Sequence, residues 1–186
     1  MRKIIYAMPV SLDGFMEAAG GDLSWSFPDP ELHQHFNEQE ALIDTHIYGR
    51  GLYENMASFW PTADENASAP QVEIEYARIW KSMEKVVFSK TLEKVDWNSR
   101  LVRGEIASEI KRLKTQPGKD ISVGGAGLAS SFMRLDLIDE YRLYIHPVIL
   151  GSGKRMFQPP LERLNLQLVE TYPFSSGVVL LKYQRV

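Results

Sequence analysis

The segment from Ile121 to Ser131 restricts the possible fold more than any other part of the chain. A short apolar run ends at Gly124 and Gly125, and a helix-compatible sequence begins directly after them. This order predicts a buried strand that leads straight into a helix N-terminus. The first N–H groups of such a helix are unpaired and lie at the positive end of its dipole. The segment therefore indicates either a plain strand–helix turn or a turn that binds a phosphate.

The composition is that of a globular domain. The chain has 186 residues, 44% of them hydrophobic, which favours one domain spanning residues 1–186. The net charge is −3 and no long basic tract occurs, so we expect no nucleic-acid partner. The lack of cysteine excludes disulfides and thiol catalysis. No signal peptide or membrane-spanning run is recognisable, so we expect a cytoplasmic protein without a membrane partner.

Predicted strands and helices alternate in the first part of the chain, whereas the last part contains strands only. Helices are expected to begin near Pro30, Leu52, Pro70, Ile106 and Leu128. The pattern predicts an α/β fold with three α/β/α layers, a mixed and mostly parallel sheet of about eight strands, and an antiparallel C-terminal end. The predicted strands cover residues 3–10, 45–48, 85–88, 100–103, 121–123, 140–148, 164–171 and 178–185.

Three polar turns follow predicted strands, at residues 49–51, 89–91 and 124–127. Parallel strands place such turns along one edge of a sheet, where ligands of α/β proteins bind. Arg50 has the geometry to hold a phosphate with two hydrogen bonds, and Lys90 offers a point charge. Taken singly, each cation is equally consistent with a solvated surface residue. Together the three turns predict a ligand that carries phosphates at two places.

Five motifs occur along the chain in an order typical of one known superfamily. They are Ser11-Leu12-Asp13-Gly14, Tyr48-Gly49-Arg50-Gly51-Leu52-Tyr53-Glu54, Val87-Phe88-Ser89-Lys90-Thr91-Leu92, Val123-Gly124-Gly125-Ala126 and the loop 147–157. With them the chain resembles the dihydrofolate-reductase-like superfamily, and most closely the C-terminal reductase domain of the bifunctional riboflavin-biosynthesis deaminase-reductase. The resemblance implies a mixed sheet and an NADPH-dependent reductase.

The resemblance also assigns NADPH contacts. It implies that the turn at Arg50 binds phosphate, that Ser89 and Lys90 bind the 2′-phosphate, and that the glycine turn at 124–128 holds the pyrophosphate. A cis peptide joins the two glycines in dihydrofolate reductases, and the same bond here would mark a functional turn. Leu52 and Lys90 depart from the family, which has a threonine and a second serine there. The cofactor-binding candidates are Ala7, Gly49, Arg50, Gly51, Leu52, Ser89, Lys90, Thr91, Gly124, Gly125, Ala126, Gly127 and Leu128.

The catalytic candidates are three acidic residues. A reductase of this type needs a carboxylate near the substrate ring to assist protonation. Asp29 and Glu31 follow the stretch Trp25-Ser26-Phe27-Pro28, which matches a Trp-x-x-Pro stretch of dihydrofolate reductases, although neither sits at the family position. Asp29 is equally well explained as a helix N-cap. Asp13 is the third candidate, and an Asp-Gly pair is also an ordinary turn.

Aromatic residues flank the expected cleft, and the substrate-binding candidates are Asp13, Trp25, Phe27, Tyr53 and Trp60. Stacking on a planar ring and packing in the core both account for the aromatic members. The histidines show no metal-ligand spacing, so we predict no metal site.

The sequence favours an NADPH-dependent oxidoreductase that transfers hydride to a pterin-like or pyrimidine-like heterocycle. We expect its activity to resemble that of dihydrofolate reductase or that of 5-amino-6-(5-phosphoribosylamino)uracil reductase. The alternative is a non-catalytic NADP(H)-binding protein or sensor on the same fold. Tyrosines on the late strands are compatible with a homodimer.

Overall fold

The computed structural model describes residues 1–186 and contains one eight-stranded sheet and one two-stranded sheet. The strands are β1 (Ile4–Ser11), β2 (Phe15–Ala18), β3 (Ile43–Gly49), β4 (Glu84–Phe88), β5 (Ser99–Val102), β6 (Asp120–Gly124), β7 (Glu140–His146), β8 (Gly153–Arg155), β9 (Leu166–Pro173) and β10 (Val179–Arg185). The helices are α1 (Pro30–Glu40), α2 (Arg50–Ala63), α3 (Gln71–Ser82), α4 (Ile106–Thr115) and α5 (Ala126–Arg134).

The large sheet has the strand order β5-β4-β3-β6-β1-β7-β10-β9. The first six strands in this order pair in parallel, whereas β10 pairs antiparallel with both β7 and β9. The carboxyl ends of β1, β3, β4, β6 and β7 therefore lie along one edge, which we call the carboxyl edge. The hairpin turn between β9 and β10 lies at the same edge, because β10 runs opposite to β7.

The main hydrophobic core lies between the sheet and the helices α4 and α5. Alternate residues of β1, including Ile4, Tyr6 and Val10, face this core, as strand geometry requires. Leu113 of α4 and Phe132 of α5 are fully buried against them. Full burial of one such side chain contributes about 1.5–3 kcal/mol, so this layer fixes the sheet to its helices.

The opposite face of the sheet is covered by α1, α2 and α3. Asp29 caps α1 by accepting a hydrogen bond of 2.8 Å from the backbone N–H of Leu32, and Pro30 occupies the first turn. Leu32 is completely buried against Tyr144 of β7 and Leu180 of β10. The cap thus begins α1 at the carboxyl edge and holds it over the antiparallel end of the sheet.

The structure confirms the predicted layers, the mixed sheet and its antiparallel end, and it corrects three local expectations. The helix after β3 begins at Arg50 rather than Leu52. The strands β2 and β8, which pair with each other, were not predicted, because each is short and depends on a distant partner. The peptide bond between Gly124 and Gly125 is trans. None of the helices is both long and apolar enough to cross a bilayer.

Candidate active site at the carboxyl edge

The three polar turns lie side by side, because β4, β3 and β6 are neighbours in the sheet and all run in the same direction. Tyr48, near the end of β3, pairs with Val87 on one side and Gly124 on the other. We call this group of turns, at residues 49–52, 89–91 and 124–128, the cofactor half of the site, after the role that the resemblance implies for it; cofactor binding there stays a prediction. The convergence predicted from the three strand ends is present.

The turns after β3 and β6 touch each other, and glycine makes this possible. A Cβ atom built on Gly124 would collide with the side chain of Leu52. A Cβ on Gly49 would lie 3.5 Å from the Cβ of Leu128. Gly125 has a φ of +89°, which other residues rarely adopt, and it starts α5. The two helices α2 and α5 therefore begin next to each other at the carboxyl edge.

Both helices begin without a side-chain cap. The residues that precede α2 and α5 are Gly49 and Gly125, and neither can supply a capping oxygen from a side chain. The first hydrogen bond within α5 runs from the N–H of Ala129 to the carbonyl of Gly125, at 2.9 Å. The N–H groups of the first turn have no acceptor within the helix. Two adjacent uncapped N-termini are a favourable place for anionic groups.

Arg50 links two of the turns. Its Nη1 donates a hydrogen bond of 3.0 Å to Oγ1 of Thr91, and its Nε donates to Glu54 at 3.0 Å. The Arg50 and Glu54 side chains are about half exposed, so this ion pair is weak and a phosphate could displace the carboxylate. Ser89 Oγ accepts hydrogen bonds from the backbone N–H groups of Thr91 and Leu92, which holds this turn in shape.

Lys90 stands at the tip of the same turn. Its side chain is exposed and makes no hydrogen bond or ion pair within the chain. Arg103 donates to its backbone carbonyl at 3.0 Å, so the turn is fixed while the ammonium group stays free. The cofactor half thus presents a tethered guanidinium, a free ammonium and the two helix N-termini.

Asp13 joins the turn after β1 to the loop before β8. Its carboxylate accepts hydrogen bonds from Ser11 Oγ at 2.7 Å and from the backbone N–H groups of Leu150 at 3.1 Å and Gly151 at 2.7 Å. The hydrogen bond from Ser11, helped by the two from the backbone, lowers the pKa of Asp13 to about 2. Asp13 is therefore ionised at neutral pH and holds two loops together, which does not suit a proton donor.

Asp29 and Glu31 also have defined partners at the carboxyl edge. Asp29 caps α1 as described above, which supports the N-cap interpretation. Glu31 accepts hydrogen bonds from both the backbone N–H, at 3.0 Å, and the hydroxyl of Ser175 in the β9–β10 turn. The hydroxyl contact is the main cause of the lowered pKa of Glu31. A catalytic role for either residue stays a prediction, and both are explained by their structural contacts.

The substrate half of the site, named for the role expected of it, consists of the ends of β1 and β7, the segment 18–31 and the β9–β10 turn at Ser175. Trp25 of this segment packs edge-on against His146, the last residue of β7, with ring centroids 5.4 Å apart. Phe27 is 76% exposed, which leaves its ring free for contact with a ligand. His146 was not among the residues selected from the sequence. The available signal was a polar residue that ends an alternating strand directly before Pro147.

The other substrate candidates lie in packing interfaces. Tyr53 is buried, and its hydroxyl both donates to and accepts from the backbone of Asp96. Trp60 of α2 packs edge-on against Phe59 and lies 4.3 Å from Tyr76 of α3, measured between ring centroids. Packing against β3, β4 and the loop at Asp96 accounts for Tyr53, and packing between α2 and α3 accounts for Trp60. Contact of either side chain with a substrate stays a prediction.

Ala7 lies in the middle of β1 rather than at its end. It packs against the buried cluster around Leu32, below the carboxyl edge. Its contact with a cofactor also stays a prediction.

The strand order and the glycine-rich edge define a dihydrofolate-reductase-like fold. More narrowly, the chain belongs to the RibD C-terminal domain family, whose profile matches residues 2–180. It is 39% identical over 183 residues to protein YyaP of Bacillus subtilis (strain 168), and the alignment covers 98% of this chain and 94% of YyaP. YyaP is described as an uncharacterized protein.

Two solved structures illustrate the shared fold. One is a diaminohydroxyphosphoribosylaminopyrimidine deaminase/5-amino-6-(5-phosphoribosylamino)uracil reductase from Thermotoga maritima, with a TM-score of 0.68 and 14% identity; the match covers all of this chain and 57% of that protein. The other is dihydrofolate reductase from Enterococcus faecalis complexed with NADP(H), with a TM-score of 0.67, 12% identity, and coverage of 98% of this chain and 96% of that one. Identities this low establish the fold alone.

Proposed function

We propose that this protein is an NADPH-dependent reductase that acts on a pyrimidine-like or pterin-like heterocycle. One observation carries the proposal: two uncapped helix N-termini and two cationic side chains converge on one edge of the sheet. Family membership supports the reductase class, because the family is defined by a reductase domain. The name of the Enterococcus structure supports the cofactor, because that protein of the same fold is complexed with NADP(H).

The residues of the cofactor half fit a dinucleotide with an additional phosphate. The N-terminus of α5, with Gly125 free of a Cβ, would hold the pyrophosphate. Arg50 and Lys90, on adjacent turns, would hold the 2′-phosphate, which favours NADPH over NADH. When bound, NADPH supplies the hydride, and the protein contributes orientation and charge.

The substrate half supports a flat ring as the substrate. Phe27 is exposed at the rim, and Trp25 and His146 lie at the adjoining strand end. The name of the Thermotoga enzyme points to an aminouracil, and the dihydrofolate reductase fold points to a pterin. Asp13 would position the loop 148–151 beside this ring rather than donate a proton.

A non-catalytic NADP(H)-binding protein is the second candidate. One observation favours it: each of the carboxylates Asp13, Asp29 and Glu31 already accepts hydrogen bonds from the protein. If no other group supplies the proton, the protein would bind NADPH and not oxidise it.

Two measurements separate these candidates. Isothermal titration calorimetry with NADPH and NADH tests the cofactor half. The loss of absorbance of the reduced nicotinamide, measured with dihydrofolate and with 5-amino-6-(5-phosphoribosylamino)uracil, tests turnover. Binding with turnover of either substrate supports the reductase, and binding without turnover favours the second candidate. No binding of NADPH contradicts both.

A homodimer is part of the same proposal. The edge strand β9 leaves Leu168, Val169 and Tyr172 about half exposed, and an unpaired edge with apolar side chains favours association. Light scattering of the wild-type protein should give twice the monomer mass, and Val169→Lys should give a monomer. A monomeric wild-type protein contradicts this.

A further inference from the structure

Two buried nitrogen atoms in the substrate half have no hydrogen-bond partner. One is Nε2 of His146, whose residue is only 5% exposed, and the other is Nε1 of Trp25. The two rings meet edge to face, with an interplanar angle of 86°, and do not hydrogen-bond to each other. A buried polar group without a partner destabilises the fold, so natural proteins avoid such groups unless another molecule supplies the partner.

The position of His146 connects it to the proposed substrate ring. It pairs in register with Ser11, directly before the turn that contains Asp13. It lies on the same face of β7 as Tyr144, the face that α1 covers from the carboxyl edge. Nε1 of Trp80 also lacks a partner, but Trp80 is fully buried on α3. The nitrogens of Trp25 and His146 lie instead at the end of β7, beside the candidate site.

The chemistry of the two atoms indicates what they would bind. An indole N–H only donates hydrogen bonds, and a neutral imidazole can donate from Nε2. Burial lowers the pKa of His146, so its ring is neutral at neutral pH. With its proton on Nε2, His146 forms with Trp25 a pair of neutral donors on rings whose centroids lie 5.4 Å apart. Such a pair matches an acceptor-bearing ring edge, such as that of a pyrimidinedione, better than an amino-bearing edge.

We propose that His146 and Trp25 determine substrate specificity by donating hydrogen bonds to a carbonyl-bearing edge of a heterocyclic ring. This inference rests on the proposed function and narrows its substrate class. Both nitrogens are buried in this structure, so the segment 18–28 has to move away from His146 to admit the ring. The ring then provides the partners that both nitrogens lack.

A pair of ring probes tests this inference. The first probe is 5,6-diaminouracil, which carries two carbonyl groups, and the second is 2,4,5,6-tetraaminopyrimidine, in which amino groups replace them. The wild-type protein with NADPH should bind the first probe more tightly. Trp25→Phe keeps an aromatic ring and removes the N–H group. It should therefore lower the affinity for the first probe about tenfold and that for the second probe less than about twofold.

Variants of His146 complete the test. His146→Leu should also lower the affinity for 5,6-diaminouracil about tenfold. His146→Gln retains a hydrogen-bond donor and should keep most of the affinity. Trp97→Phe is the matched control, because Trp97 is an exposed tryptophan at the opposite edge of the sheet. It should change the affinity for neither probe. Urea midpoints of all variants check that each one folds.

The inference and the proposed function fail in different ways. NADPH affinity is measured separately by calorimetry, and Trp25→Phe should leave it unchanged within about twofold. Three results would overturn the specificity role while leaving NADPH binding intact. Trp25→Phe could lose affinity equally for the two probes, it could lose affinity for neither, or the wild-type protein could bind neither probe. If NADPH does not bind, the proposed function fails whatever the ring probes show.

Discussion

The two halves of the site are built in different ways. The cofactor half is formed mainly by backbone. Glycines allow α2 and α5 to begin in contact, and the first N–H groups of both helices lie at the carboxyl edge. In the substrate half, side chains make the connections, through Asp13 to Gly151, Glu31 to Ser175, and Trp25 to His146. Under the proposed function, the half built from backbone would hold the cofactor, and the half built from side chains would select the substrate.

The largest expected effect is on the cofactor half. Arg50→Ala should weaken NADPH binding by about 1.5–3 kcal/mol, because a charge-assisted contact to phosphate is lost. The same substitution should weaken NADH binding much less. Calorimetry with both cofactors measures the difference. Arg134→Ala, which removes an exposed arginine from the far end of α5, is the control. Equal losses for the two cofactors would mean that Arg50 does not contact the 2′-phosphate.

The backbone character of the cofactor half is tested at Gly125. A φ of +89° is unfavourable for alanine, so Gly125→Ala should destabilise the fold by about 1–2 kcal/mol and weaken NADPH as well. Gly104→Ala is the control, because a Cβ there meets nothing within 4 Å. Urea denaturation measures the stability of both variants. An unchanged stability for Gly125→Ala would remove the claim that this turn depends on glycine.

Asp29 tests the structural interpretation of the substrate half. Asp29→Ala should destabilise the protein by about 1 kcal/mol, and Asp29→Asn should have almost no effect, because asparagine is also a good N-cap. Thermal unfolding measures the stability and NADPH oxidation measures turnover. If Asp29→Asn is stable but has lost turnover, Asp29 is catalytic and the cap interpretation is incomplete.

The smallest effect is expected from the pH dependence of Asp13. Its folded pKa of about 2 lies below the ordinary value of 3.8, so its ionised form stabilises the fold. This stabilisation is present above the ordinary value and is lost as the pH falls through that interval. Asp13→Asn should therefore unfold at lower urea at neutral pH, and its deficit relative to wild type should shrink as the solution is acidified. A constant deficit would contradict the low pKa.

The convergence of the three turns could be predicted from the sequence because its determinants are local. A run such as Ile121–Val123 followed by Gly124 and Gly125 specifies a strand, a turn and a helix N-terminus within a few residues. Parallel pairing then brings three such turns to one edge. The fold class followed from the same alternation of strands and helices.

The substrate half could not be predicted in the same way, because its contacts join distant parts of the chain. Asp13 bonds to Gly151, 138 residues further on. The contact between His146 and Trp25 becomes apparent only when β7 and the segment 18–28 are placed together in the fold. Tyr53 and Trp60 look like stacking residues in the sequence, yet in the structure Tyr53 packs against β3 and β4 and Trp60 packs between α2 and α3. Aromatic composition near a cleft does not distinguish these outcomes.

The most direct test is an amide NMR titration of the uniformly ¹⁵N-labelled protein with NADPH. If one dinucleotide lies across all three turns, the resonances of Arg50, Lys90 and Gly127 should shift together with a single dissociation constant. Those of Gly118 and Trp97, at the opposite edge, should stay in place. Shifts confined to one turn, or scattered over both edges, would contradict the central claim.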